Sequence, residues 1–169
     1  YINKSGVILV KKSLKRAPIV RFSKKHGPYV QITDNEENQS RVPVADILMN
    51  TFYGRTGFDI IPKIPYTEDM EKWMTVADLK YDNSVIEYHI NNTNEQEFNI
   101  NGYLWKPVKI MDHLILINTD GCAYSPEHHK FLIRTFGSDN EYSRITIPGT
   151  DRGANVHRII GAVFLPNFS

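Results

Sequence analysis

With 169 residues, of which 41% are hydrophobic and 23% charged, the chain has the balance of a folded soluble protein, long enough for one ordinary domain or two small ones. No apolar run approaches the ~20 residues of a membrane helix. A single cysteine, Cys122, excludes an internal disulfide and a cysteine-based zinc site within one chain.

The net charge of +1 conceals an asymmetry. Residues 1–54 hold nine Lys/Arg against four Asp/Glu, residues 55–110 six against nine, and residues 111–169 five against six. A basic first segment beside an acidic middle points to an anionic partner, the alternative being a solvated lysine-rich surface. Lys4, Lys11, Lys12 and Lys15 interrupt any apolar core at the N-terminus, so a signal peptide is not expected there. With one cysteine, this predicts a reducing, intracellular compartment.

In chain order, Gly6–Val10 is a short β-rich run, Ile19–Ser23 a second, and Tyr29–Thr33 a third with alternating apolar residues. His26-Gly27-Pro28 reads as a turn and Asp34–Asn38 as a polar loop. Val44, Ile47, Leu48 and Phe52 then recur with helical spacing, and Gly54 stands where a helix stops. Pro62 and Pro65 lead to a short helix predicted over residues 67–74, with Thr67 as N-cap and Glu68, Asp69 and Glu71 in its first turn. Asp78-Leu79 suggests another turn. Ser84–Ile90 alternates as a strand, Asn91–Asn94 is a turn, and Glu97–Ile100 is expected to pair back as a hairpin. Farther on, Leu114–Ile117, Cys122–Tyr124, Phe131–Thr135 and Tyr142–Ile147 read as strands. Val156, Ile159, Ile160, Val163 and Phe164 form a helical face that ends before Pro166.

Much of this is said twice. Ile2-Asn3-Lys4-Ser5-Gly6 aligns with Ile117-Asn118-Thr119-Asp120-Gly121, Tyr29–Ile32 with Tyr142–Ile145, and Val44–Phe52 with Val156–Phe164. The offset drifts from 115 through 113 to 112, as loops of unequal length in a duplicated unit would produce. The expected fold is α+β: two small modules, residues 1–54 and 105–169, each a three-stranded antiparallel sheet with one helix. Residues 55–104 are expected to form a mixed linker with a short helix and a β-hairpin.

From Trp105 the chain resembles the NUMOD4-type module that precedes the nuclease core in many phage HNH homing endonucleases. The matching residues are Trp105-Lys106-Pro107, then Ile117–Ser125, the Tyr142-Ser143-Arg144-Ile145 strand, and Val156-His157-Arg158-Ile159-Ile160-Gly161-Ala162-Val163-Phe164-Leu165-Pro166-Asn167. The last stretch is the most specific. The resemblance implies a phage or other mobile-element origin and a nucleic-acid partner. In that family the helix is followed by an Asn-His-x-Asp-Gly segment bearing the general base, then by metal ligands. The sequence stops at Ser169, before that point. His157 matches the helix histidine of the module, which is not the family's catalytic one.

An HNH site needs a histidine to activate water and a divalent cation at the scissile phosphate. Substitutes elsewhere are poor. His128-His129 are adjacent, and neighbours in a strand point to opposite faces. His89 reads as a cross-strand neighbour, and Glu68, Asp69 and Glu71 as a helix N-terminus. There is no phosphate-binding glycine loop, dinucleotide motif or nucleophile elbow. No catalytic residue, metal site or cofactor is therefore assigned.

The expected function is non-catalytic nucleic-acid binding, DNA before RNA. The contact candidates are Lys11, Lys12, Lys15, Arg16, Arg21, Lys24 and Lys25 in the first module, and Lys130, Arg134, Arg144, Arg152 and Arg158 in the second. Two alternatives stand beside it. One is a structural or adaptor subunit that uses aromatics such as Trp73, Tyr81, Tyr88, Phe98, Tyr103 and Trp105 against a protein partner. The other is the N-terminal portion of an active HNH endonuclease.

Overall fold

The computed structural model describes residues 2–4, 8–9, 15, 17–34, 36–67, 75–137 and 142–166. Among these, thirteen strands in four antiparallel sheets and three α-helices make an α+β fold. The chain divides into two units, Tyr1–Asn50 with Ile60–Tyr81, and Thr51–Asp59 with Asp82–Ser169.

The first unit is built on a meander of β1 (Ile19–Ser23), β2 (Gly27–Thr33) and β3 (Gln39–Pro43), hydrogen-bonded in that order. Lys24, Lys25 and His26 make the first turn. Gly27 follows at φ +75°, under the Tyr66 ring, where a Cβ would come within 2.9 Å of a ring carbon. The second loop is closed by Asp34, whose carboxylate accepts the Glu36 and Asn38 backbone N–H groups, each at 2.9 Å. With the Asn38 side-chain amide as the leading cause, these bonds hold its carboxyl below the usual range. From Pro43 the chain passes directly into α1 (Val44–Phe52). Val44, Ala45, Leu48, Met49 and Phe52 are buried and spaced as one helical face. Farther on, β4 (Ile60–Pro62) pairs with β5 (Leu79–Tyr81). Val76, Leu79 and Tyr81 complete the buried set with Val30 and Tyr66.

In the second unit, α2 (Ser84–Asn92) precedes a five-stranded sheet. Its strands are β6 (Phe98–Ile100), β7 (Tyr103–Ile110), β8 (His113–Asn118), β9 (Ala123–Ser125) and β10 (Lys130–Leu132), each paired with the next. The first two turns are tight: Asn101-Gly102 and Met111-Asp112 all take positive φ, as a two-residue hairpin turn matched to strand twist requires. A second meander follows, β11 (Arg134–Phe136), β12 (Ser143–Thr146) and β13 (Gly153–Asn155), and runs into α3 (Val156–Phe164). Helix α3 packs on β12, β13 and β7. Ile115, Ile117, Ala123, Leu132, Ile145, Ile147, Val156 and Ile159 form one buried cluster that joins this helix to both sheets.

Several expectations need correction. Residues 84–90 are helix, not strand. Ile86, Tyr88 and Ile90 alternate with Glu87 and His89, but Ile86, Ile90 and the half-buried His89 also satisfy helical spacing, and only Ile86 is fully buried. Phe98–Ile100 pairs with Tyr103–Trp105, so the hairpin turns at Asn101-Gly102. Asp78-Leu79 is the junction between a single 3₁₀ turn, Val76–Asp78, and β5. The run Phe131–Thr135 is two strands, β10 and β11, that belong to different sheets and part at Ile133. The strand expected over residues 6–10 and the helix over 67–74 fall largely outside the described residues; within the first, Ile8 bridges to Ile2.

The first module has a three-stranded sheet and a helix, but the third strand of that sheet is β3, which is not among the strands expected from the sequence, while the expected Gly6–Val10 strand lies largely outside the described residues. Both meanders thus have one plan: three antiparallel strands in sequential order, the last leading without a loop into a nine-residue helix. Counting back from each helix places Val30 opposite Val42 and Ile145 opposite Ala154, each partner lying two residues before its helix. The equivalent pair is therefore Val30/Ile145, an offset of 115 instead of the 113 read from Tyr29/Tyr142. A slip of two residues keeps every side chain on its own face, so alternation cannot detect it.

Candidate nucleic-acid interface

Residues paired across antiparallel strands share a face, as do residues two apart on one strand. In the first meander one face carries Ile19, Val30 and Val42, with Val30 buried. The other carries Arg21, Tyr29, Gln31, Thr33, Gln39 and Arg41, through the pairs Arg21/Tyr29, Gln31/Arg41 and Thr33/Gln39. All of these are exposed except Tyr29, which is half-buried.

The polar face has internal order. The Arg21 guanidinium lies over the Tyr29 ring, 5.6 Å from its centroid, a cation–π contact that limits its conformations. The Gln31 amide donates to Gln39 at 2.7 Å across the strands. Among the described residues, no carboxylate lies on this face. Its ends differ in sign: Lys24, Lys25 and His26 form the turn between β1 and β2, whereas Asp34, Glu36 and Glu37 sit in the loop between β2 and β3. An anion approaching the face is drawn to the first end.

The second meander has Thr135, Arg144 and Asn155 opposite one another on one face, with Thr146 two residues beyond Arg144. Arg144 occupies the place that Tyr29 holds in the first meander, each opposite the residue just before the helix. Its guanidinium rests on Gly153, donating to the Gly153 carbonyl oxygen at 3.3 Å.

Arg134 lies on the opposite face, paired with Ile145. Its Nη2 donates to the Asp120 carbonyl, and its Nε is buried without a partner. The guanidinium occupies the space left by two glycines at positive φ, Gly54 and Gly121. It thus holds a turn together instead of facing outward. The same turn is pinned by Asn118, fully buried, whose Oδ1 accepts the Asp120 and Cys122 N–H groups at 3.0 and 2.9 Å and whose amide donates to the Arg55 carbonyl at 2.8 Å. The Asp120 carboxylate accepts the Arg55 N–H at 2.7 Å. Burial pushes the Cys122 thiol well up; Arg134 acts in the other direction and Asp120 adds to the rise. This thiol is a packed core group and no nucleophile at neutral pH.

Of the other sequence candidates, Lys15, Lys24, Lys25, Lys130, Arg152 and Arg158 are exposed. Lys130 is on β10, Arg152 precedes β13, and Arg158 is in the first turn of α3. Lys11, Lys12 and Arg16 lie outside the described residues. Gln39 and Arg41 lie on β3, which no apolar alternation marks in the sequence, and Gln31 lies on β2, on an expected strand but not among the expected contact residues.

The histidines do not converge. His128 Nδ1 is 3.1 Å from Ser125 Oγ, whereas His129 Nδ1 is 3.0 Å from Glu87 Oε1, which also accepts the Tyr124 hydroxyl. His89 is stacked on Phe98 at 5.3 Å within α2 and β6, so it is a helix residue, not a cross-strand neighbour. His157 packs against Tyr142 at 4.7 Å. Among the described residues, no group of three or more His, Cys, Asp or Glu could hold a metal ion, and no helix is long and apolar enough to cross a membrane. No family model, curated protein or solved structure matches the chain.

Proposed function

We propose that this chain binds nucleic acid, duplex DNA before RNA, without cleaving it, through the polar faces of its two meanders. The observation that carries this reading is the composition of the first face. Arg21, Arg41, Gln31, Gln39 and Tyr29 stand on one sheet surface that carries no acid among the described residues. Arg and Gln are the side chains that pair bidentately with guanine and adenine in the major groove, which admits β-strands. Lys24 and Lys25 at the turn are placed for phosphates, which set register and affinity without reading sequence. The second face repeats the theme with Arg144, Asn155, Thr135 and Thr146.

Descent from an HNH homing endonuclease, in a phage or another mobile element, is part of the same proposal. It is supported by the Val156–Pro166 stretch, whose helical portion coincides with α3. A protein partner is the second reading. It draws on Val85 and Tyr88, 41% and 65% exposed one turn apart on α2.

Fluorescence anisotropy with labelled duplex DNA and structured RNA, across a salt series, tests the reading. Four to six phosphate contacts predict a slope of log K against log salt of roughly −3.6 to −5.4 for duplex DNA. Arg21→Gln with Arg41→Gln is expected to weaken binding at least tenfold while the fold is kept. Absence of binding at low salt would refute the proposal and leave the α2 surface as the lead.

A further inference from the structure

We infer that the cleft where β13 turns into α3 binds a phosphate group, held by the guanidinium groups of Arg144 and Arg158 and the side-chain amide of Asn155. The cleft is open and about 440 Å³, lined by Val108, Arg144, Gly153, Ala154, Asn155, Arg158, Ile159 and Ala162. Its charged members are both cations, and among the described residues no carboxylate lines it. Neither guanidinium has an ion pair among the described residues. Two uncompensated arginines beside an apolar floor of Val108, Ala154 and Ile159 make a local positive potential that an anion relieves.

Arg144 is held in place before any ligand arrives. Its side chain lies across Gly153, where a Cβ would come within 3.5 Å of Nε, and one N–H is spent on the Gly153 carbonyl. The remaining donors of the planar fork are left to grip two oxygens of a phosphate. Arg158 occupies the third position of α3, a helix with no acidic residue in its first turn. A cation there opposes the positive end of the helix dipole. The corresponding residue of α1 is Asp46, the stabilising choice. Asn155, at the N-cap, makes no side-chain cap hydrogen bond, so its amide is not committed to the helix. An anion in the cleft would satisfy the arginines, the amide and the helix terminus together.

The chemistry recognised is a phosphate group, and it has two sources: a nucleic-acid backbone or a free phosphate-bearing molecule. In the first case the inference rests on the reading above. The cleft then fixes the phosphodiester beside the paired strands that carry Thr135 (β11) and Arg144 and Thr146 (β12).

The test is amide and arginine Nε–H chemical-shift mapping on the full chain, with inorganic phosphate in one arm and duplex DNA in the other. Shifts at Asn155, Arg158 and Arg144 Nε–H with both probes, lost in Arg144→Gln/Arg158→Gln, are the expected result. The same double variant should weaken duplex binding about tenfold and reduce the salt slope by about 1, since both arginines hold one phosphate. Shifts with phosphate but no duplex binding would overturn the nucleic-acid reading and keep the cleft as a site for a free phosphate-bearing ligand. Silence of these resonances with both probes would overturn the cleft, even with duplex bound elsewhere. Because the mapping uses the wild-type chain, it decides the matter whether or not the double variant folds.

Discussion

Removing the Asn118 side chain tests how the second unit is held together. In Asn118→Ala three hydrogen bonds vanish, and their former partners differ in access to water. Cys122 is fully buried, so its N–H is left without an acceptor, at about 1–3 kcal/mol. The Asp120 N–H and the Arg55 carbonyl belong to exposed residues and can turn to water, so each lost bond costs about 0.5–1 kcal/mol. The sum is a loss of roughly 2–5 kcal/mol, which at about 5 °C per kcal/mol lowers Tm by roughly 10–25 °C in a unit of this size. Urea unfolding followed by far-UV circular dichroism and tryptophan fluorescence would measure it, since Trp105 is fully buried in the same unit. A loss below about 0.5 kcal/mol would refute the reasoning, because it would mean that the 118–121 turn does not depend on this side chain.

Other expectations follow from the same contacts. Gly121→Ala and Gly102→Ala both force a side chain at positive φ, but only at Gly121 would the Cβ meet packed atoms, Val156 Cγ1 at 2.6 Å; nothing lies within 4 Å at Gly102. Thermal melts should show Gly102→Ala costing about 1 kcal/mol and Gly121→Ala clearly more. Arg134→Gln should lower the stability of the second unit and leave the salt slope of nucleic-acid binding unchanged, the reverse of the pattern expected for Arg144→Gln; a changed slope would place Arg134 at the interface. The Tyr66 hydroxyl is pushed up to about 12, by burial first and by Asp46 second. The unfolded chain loses this proton near pH ~10 and the folded chain later, so the contribution to stability is complete below ~10 and disappears as pH rises towards about 12. Tyrosinate absorbance during alkaline titration should show one late-ionising residue that Tyr66→Phe removes.

Helix faces and hairpins were readable where one local signal dominated. Val44–Phe52 and Val156–Phe164 each bury a continuous apolar stripe, and the spacing showed it. Ser84–Ile90 misled because its polarity alternates while its burial rests on Ile86 alone, and the weak moment fits either period. β3 was hidden because Gln39, Ser40 and Arg41 are all exposed, leaving no apolar face to mark a strand; cross-strand pairing with β2 forms it. Positive charge was legible as a cluster, but its role was not. Arg134 and Arg144 are ten residues apart on neighbouring strands and look alike in sequence. Register puts one on the inner face, between two glycines, and the other on the outer face. The polar surface of the first meander needed β3 in place before Arg41 and Gln39 could be seen beside Arg21 and Tyr29.

The most direct measurement is to titrate the labelled chain with short duplex DNA at low salt and follow backbone amide shifts. Binding through the meander faces predicts shifts concentrated at Arg21, Gln31 and Arg41 and at Thr135, Arg144 and Asn155, with α2 unperturbed. Shifts centred on Val85 and Tyr88, or none at all, would contradict it.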